Sequence, residues 1–154
     1  MTETRARTFP ARAREVVAMA CLEFHIENRL EEIGKVADAV ERLGDEHAIP
    51  QNVVNDMNLS LDEVLNNIIS YAYAGDVIRT ITVRLTVANR ELIANIDDDG
   101  QPFNPLMATP PDLSGSIKER PVGGLGIHFV KTLMDQVAYV RRGDQNCLEL
   151  KKSF

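Results

Sequence analysis

Glu63 and Asn67 stand four residues apart in a segment that reads as one long helix, so both lie on the same flank of it. A carboxylate beside an amide can orient a nucleophile and ligate Mg2+ through oxygen. A solvated helix face carries such a pair equally well. A second group, Asp97-Asp98-Asp99-Gly100, closes a strand-like run and is followed by Phe103. It reads as an acidic turn, or as a site where one Asp accepts a hydrogen bond from an exocyclic amine while Gly100 lets a flat ring approach the backbone. The third group is Gly123-Gly124-Leu125-Gly126. Glycines opening a helix are either a lid hinge or a row of free N–H groups that meet phosphate with help from the helix dipole. Two better-known phosphate motifs fail here. A dinucleotide fingerprint would need glycine at Phe129 inside a parallel βαβ unit, and a Walker loop would need glycine at Val130 before Lys131-Thr132.

These groups need elements to position them. Leu22–Glu27 alternates apolar with charged or polar residues, as a half-buried strand does. Asn28 is placed to cap a helix, with Glu31 in capping-box position. Leu30, Ile33, Val36, Ala37, Val40 and Leu43 follow at helical spacing, and Gly44 reads as the stop. A second helix is predicted from near Pro50 to about Tyr73, with Val53, Val54, Met57, Leu61, Val64, Leu65, Ile68 and Ile69 as one wide apolar stripe. Asn58, Asn66 and Asn67 all lie inside it, although asparagine is a mediocre helix former. The period then changes to two, predicting a hairpin of Ile81–Val87 and Leu92–Ile96 around Asn89-Arg90. Residues 101–122 hold five of the seven prolines and read as a long functional loop, a lid. A helix over Gly123–Asp135 and two strands, about 137–142 and 146–152, complete the chain. The order β-α-α-β-β-lid-α-β-β predicts an α/β two-layer sandwich (α+β): a mainly antiparallel mixed sheet covered on one face by three helices.

The 154 residues suit one domain. With 44% hydrophobic and 26% charged residues, the chain has the composition of an ordinary folded, soluble protein rather than a disordered one. Its longest uncharged stretches, Val64–Gly75 and Gly100–Pro111, fall well short of the about twenty apolar residues a membrane helix needs. A net charge of −6 argues against general nucleic-acid binding. Cys21 and Cys147 have no metal-type spacing, and two lone thiols fit a reducing cytoplasm. The apolar run Val16–Leu22 reaches only the short end of a signal-peptide core, so residues 1–21 are read as an N-terminal extension, with Met19 an alternative start. His25, His47 and His128 read as surface or partly buried residues, and Lys118 and Arg120 as solvated lid residues.

The order of the three groups resembles the GHKL, or Bergerat-fold, ATPases, and within them the compact anti-sigma-factor serine kinases. The resemblance covers residues 22 to about 152, which makes 22–154 the ATPase domain. Asp62-Glu63-Val64-Leu65-Asn66-Asn67 is similar to the family's N box, which implies Glu63 as the catalytic carboxylate and Asn67 as the Mg2+ ligand. Asp98-Asp99-Gly100-Gln101-Pro102-Phe103 resembles the adenine-binding box, which implies Asp98 as acceptor of the adenine amine with Gly100 and Phe103 beside it. Gly123, Gly124, Leu125 and Gly126 resemble the glycine box around the phosphates. Residues 110–113 through 119–121 resemble the lids of stand-alone bacterial members. The resemblance implies ATP and Mg2+ as cofactors and serine/threonine kinase activity on a STAS-domain anti-anti-sigma protein. It further implies a sigma factor and a homodimer as other associations, while the cysteines, the acidic charge and the short apolar runs give the expected cytoplasmic location without direct contact with nucleic acid or membrane. Two departures stand out. Tyr71 replaces the usual His, which keeps open a non-catalytic module that sequesters a regulator under nucleotide control. Asn146-Cys147 stands where relatives often place Thr near the adenine.

Overall fold

The computed structural model describes residues 18–107 and 124–154. Five strands and three α-helices alternate as the sequence order predicts: β1 (Ala18–Glu27), α1 (Ile33–Glu46), α2 (Gln51–Tyr71), β2 (Thr80–Ala88), β3 (Glu91–Asp98), α3 (Gly124–Leu133), β4 (Gln136–Arg142) and β5 (Gln145–Ser153). The sheet order is β1-β2-β3-β5-β4, and every pairing is antiparallel. The expected lid beyond residue 107, including Lys118, Arg120 and the lid block at 110–121, lies outside the described residues, as do Gly123 and positions 1–17 of the expected extension.

One layer is the sheet and the other is the three helices. Ile81, Val83, Leu85 and Val87 of β2 and Leu92, Ala94 and Ile96 of β3 point under the helices and are fully buried. Their strand neighbours alternate to the other face, the period-2 pattern of a sheet covered on one side. Val36, Val40 and Leu43 of α1 and Val54, Met57, Leu61 and Leu65 of α2 close the core from above. Both hairpin turns have two residues. Asn89 and Arg90 take positive φ of 50° and 60°, and Gly143 takes 61°, as primed turns between right-twisted strands require.

Three local expectations are corrected. Asn28 does not cap α1: its amide donates to the Val77 carbonyl at 3.0 Å and accepts from the Arg79 N–H at 2.8 Å, so it clamps the end of β1 to the entry of β2. A 3-10 turn over Leu30–Glu32 leads into α1 instead, and it leaves Leu30 exposed rather than in the core stripe. Gly44 does not stop α1, which continues to Glu46. Gly44 is buried against α2, where a Cβ would stand 2.7 Å from Val54 Cγ2, so its role is close helix approach.

The connection from β3 through α3 delivers β4 in the same direction as β3, with a gap between them. β5 returns antiparallel to both and fills the gap. This insertion places Asn146, at the start of β5, opposite Asp98 at the end of β3.

Candidate functional site

The three asparagines inside α2 have separate environments. Asn58 donates to Glu41 Oε1 at 3.1 Å and ties α2 to α1, although its own Oδ1 is buried without a partner among the described residues. Asn66 donates to the Asp62 carbonyl of its own helix at 2.9 Å. Asn67 Nδ2 is buried with no hydrogen-bond partner among the described residues. A buried, unpaired amide costs about 1–3 kcal/mol, so it marks a place where a ligand can complete the site. Glu63, one turn earlier on the same flank, lies against Gly126 in the first turn of α3. Any Cβ at Gly126 would overlap the Glu63 carboxylate. Glycine therefore lets α3 open directly beside Glu63. Gly124 and Leu125 lie in the same first turn.

The far end of α2 is pinned to the loop after β3. Gln101 N–H donates to the Ala72 carbonyl at 2.8 Å, and a Cβ at Gly100 would stand 2.5 Å from Ala72 Cβ and 2.8 Å from Asp98 Oδ1. One helix thus links the Glu63–Gly126 contact to the Asp98–Gly100 turn.

The three adjacent carboxylates avoid mutual repulsion by facing three ways. Asp97 sits on the open face of the sheet, opposite Thr82 and Cys147. Asp99 pairs with Arg79 at 3.2 Å. Asp98 turns inward and is only 4% exposed. Its Oδ1 accepts from the Gly100 N–H at 2.9 Å and from Asn146 Nδ2 at 3.0 Å, while no donor among the described residues takes Oδ2. Burial raises the Asp98 pKa above the ordinary aspartate value, and nearby Asp99 adds to this. The two hydrogen bonds and Arg141 oppose it without reversing it. Tyr73 is pushed above the ordinary phenol range, first by burial and then by Asp98 and Asp99. Its hydroxyl also lacks a partner among the described residues. Phe103 lies on the loop beyond the turn and is 53% exposed, free to cover a flat ring.

Of the residues singled out from sequence, the structure sets Glu63 against Gly126, buries the Asn67 amide on the same helix, and joins Asp98 to Gly100 at that helix's end. Cys147 falls on the sheet face away from the helices. Burial and the Asp97 carboxylate raise its thiol pKa, so it is not an activated nucleophile. His25 is exposed and bonds Thr82, and His128 is exposed on α3. Asn146, Tyr139 and Arg141 belong to the site without having been given a role. A usable signal was present: Leu148 and Leu150 place Asn146 on the buried face by alternation, and a buried amide needs partners.

The family model described as "Histidine kinase-like ATPase domain" matches residues 26–152. The chain belongs to this family. Among curated proteins, a serine/threonine-protein kinase, BtrW of Bordetella bronchiseptica, is 33% identical over 94 residues, covering 61% of this chain and 66% of that protein. A serine-protein kinase, RsbW of Bacillus mycoides, is 30% identical over 88 residues, covering 54% of each. The chain thus spans about half to two thirds of the length of these relatives. Among solved structures, the RsbU and RsbW domains of a Mycobacterium tuberculosis protein superpose with a TM-score of 0.64 at 14% identity, covering 88% of this chain and 32% of that one. The SiaB-SiaC complex of Pseudomonas aeruginosa gives 0.54 at 15% identity, covering 89% and 91%. At these identities the structural likeness establishes the fold alone. Membership of a histidine kinase-like ATPase family implies nucleotide use, and the chain is similar to proteins named serine- or serine/threonine-protein kinases. Among the described residues, no helix is long and apolar enough to cross a membrane.

Proposed function

We propose that the chain is an ATP-dependent serine/threonine protein kinase that phosphorylates a STAS-domain anti-anti-sigma protein in a partner-switching pathway. The observation that carries this reading is the single helix α2, which holds Glu63 against Gly126 at one point and the Asp98–Gly100 turn at its end. A nucleotide has its base and its phosphates at opposite ends, and this arrangement offers a subsite for each. The donor set fits: a buried carboxylate with one uncommitted oxygen, an Asn67 NH2 that is unpaired among the described residues and can donate to a phosphate oxygen, and glycine at a helix start.

In this reading Asp98 Oδ2 accepts the adenine amine, Gly100 admits the ring, and Phe103 covers it. Asn67 presents its amide oxygen to Mg2+. The backbone of Gly123, Gly124, Leu125 and Gly126 donates to the phosphates at the α3 N-terminus. Glu63 orients the attacking serine or threonine hydroxyl and accepts its proton. ATP with Mg2+ supplies the transferable phosphoryl group and neutralises its charge. The ATPase domain reaches back from the expected start at residue 22 to Ala18, where β1 begins to pair with β2, and the residues before it form the extension. The protein works in the cytoplasm, and a sigma factor and a second copy of the chain are its further associations.

A second reading rests on Tyr71, which is 59% exposed where the family's His would stand. It is a non-catalytic module that sequesters a regulator and uses nucleotide to set its shape. Labelled ATP and a STAS-domain protein separate the two. Transfer by the wild-type chain and its loss in Glu63→Ala support the kinase; binding of the STAS protein without transfer overturns it in favour of the module.

A further inference from the structure

Asn146 is 5% exposed and all of its hydrogen-bonding capacity is used inside the protein. Its Oδ1 accepts from Tyr139 Oη at 2.7 Å and from Arg141 Nη1 at 3.0 Å. Its Nδ2 donates to Asp98 Oδ1 at 3.0 Å and to the Gln101 carbonyl at 2.9 Å. Two donors on one side and two acceptors on the other fix the orientation of the amide. Arg141 Nη1 also donates to the Gly100 carbonyl at 2.9 Å, so the β4–β5 hairpin grips both the Asp98 side chain and the loop that follows it.

We propose that Asn146, braced by Tyr139 and Arg141, is a positioning residue for nucleobase selection. It holds Asp98 Oδ1 and thereby leaves Oδ2 as the oxygen presented to the exocyclic amine of the base. A threonine hydroxyl, which is shorter and has one proton, cannot join Asp98, Gln101, Tyr139 and Arg141 at once. The amide lets this chain fix Asp98 through protein contacts alone. The proposal rests on the reading of the cleft as an ATP site.

The test compares ATP with inosine triphosphate, which carries a carbonyl where ATP has the amine. Calorimetric titration in Mg2+ is run on the wild-type chain, Asn146→Ala and Tyr139→Phe. The wild type is expected to prefer ATP, and Asn146→Ala is expected to cut that preference about tenfold, the loss typical of a charge-assisted hydrogen bond. Tyr139→Phe, which removes one of the two braces and leaves that of Arg141, is expected to cut it by a smaller factor of about two to three. In the ligand-free protein, the 13C-carboxyl titration of Asp98 is expected to move to higher pH in Asn146→Ala, because a donor to the charged form is lost. The other groups acting on Asp98 (Asp99, Arg141 and Tyr73) remain in place. Equal loss of affinity for both nucleotides, or an unmoved Asp98 titration, overturns the positioning role. Should Asn146→Ala fail to fold, an unchanged preference in Tyr139→Phe overturns it alone. A wild-type chain that binds neither nucleotide overturns the ATP-site reading, and this proposal with it.

Discussion

Replacing Asp98 by asparagine should weaken ATP binding while leaving the ligand-free protein as stable as before, or more so. An asparagine carbonyl can still accept from the Gly100 N–H and Asn146 Nδ2, the two bonds now made by Oδ1. The new NH2 group then takes the place of Oδ2 and turns a donor toward the cleft, where the adenine amine needs an acceptor. A hydrogen bond to a charged group contributes roughly 1.5–3 kcal/mol, so the dissociation constant should rise about 10- to 100-fold. Stability has the opposite sign. The folded pKa of Asp98 lies above the unfolded value, so the folded state prefers the protonated form, and stability falls as pH rises from near 4 through the folded pKa. At neutral pH the ionised group is therefore a net cost, and a neutral amide removes it. Calorimetry of ATP binding and thermal unfolding at pH 7 read both quantities. ATP affinity in wild-type protein should also decline as pH falls through that raised pKa. An Asp98→Asn variant with unchanged affinity would refute the assignment of Asp98 to the base. One that melted several degrees lower would refute the view that burial dominates its energetics.

Glu63→Gln should lower phosphate transfer by about 10²–10⁴-fold, the usual contribution of a general base, while ATP affinity stays within about threefold in filter-binding titrations. Gly126→Ala forces the flexible Glu63 carboxylate to swing away from α3, so turnover should drop at least about tenfold with less than about 1 kcal/mol lost in urea unfolding. Gly44→Ala drives a methyl to 2.7 Å from Val54 Cγ2 at the α1–α2 contact. Overpacking costs about 1–3 kcal/mol and helix propensity returns about 1 kcal/mol, so a net loss of up to about 2 kcal/mol is expected in the same unfolding assay, with ATP binding unaffected.

The architecture was legible because its signals are periodic. The stripe from Val53 to Leu65 specified α2, and the alternation of Ile81–Val87 and Leu92–Ile96 specified a hairpin with one buried face. Local cues misled where a long-range partner offered more. Asn28 has the composition of a helix cap, yet bonding the Val77 carbonyl and the Arg79 N–H satisfies its amide twice. Gly44 has the composition of a stop, yet the demand came from Val54 on the next helix. Within the site, Glu63, Asn67, Asp98 and Gly100 could be singled out because each belongs to a short local pattern. The roles of Asn146 and Arg141 depend on β5 inserting between β3 and β4, and no local pattern encodes a strand insertion.

That insertion also sets an order in time. Asp98 and Asn146 are separated by 48 residues, so a ribosome adding 5–20 residues per second delivers the second about 2–10 s after the first. The helices and the first hairpin can collapse meanwhile, since their partners are already made. The base subsite cannot close until β5 has threaded between its two neighbours. A nascent chain would thus bury most of its hydrophobic core, all but the part that Leu148 and Leu150 of β5 complete, before the proposed base subsite closed. Ligand binding would then act as a check that the whole sheet has been assembled.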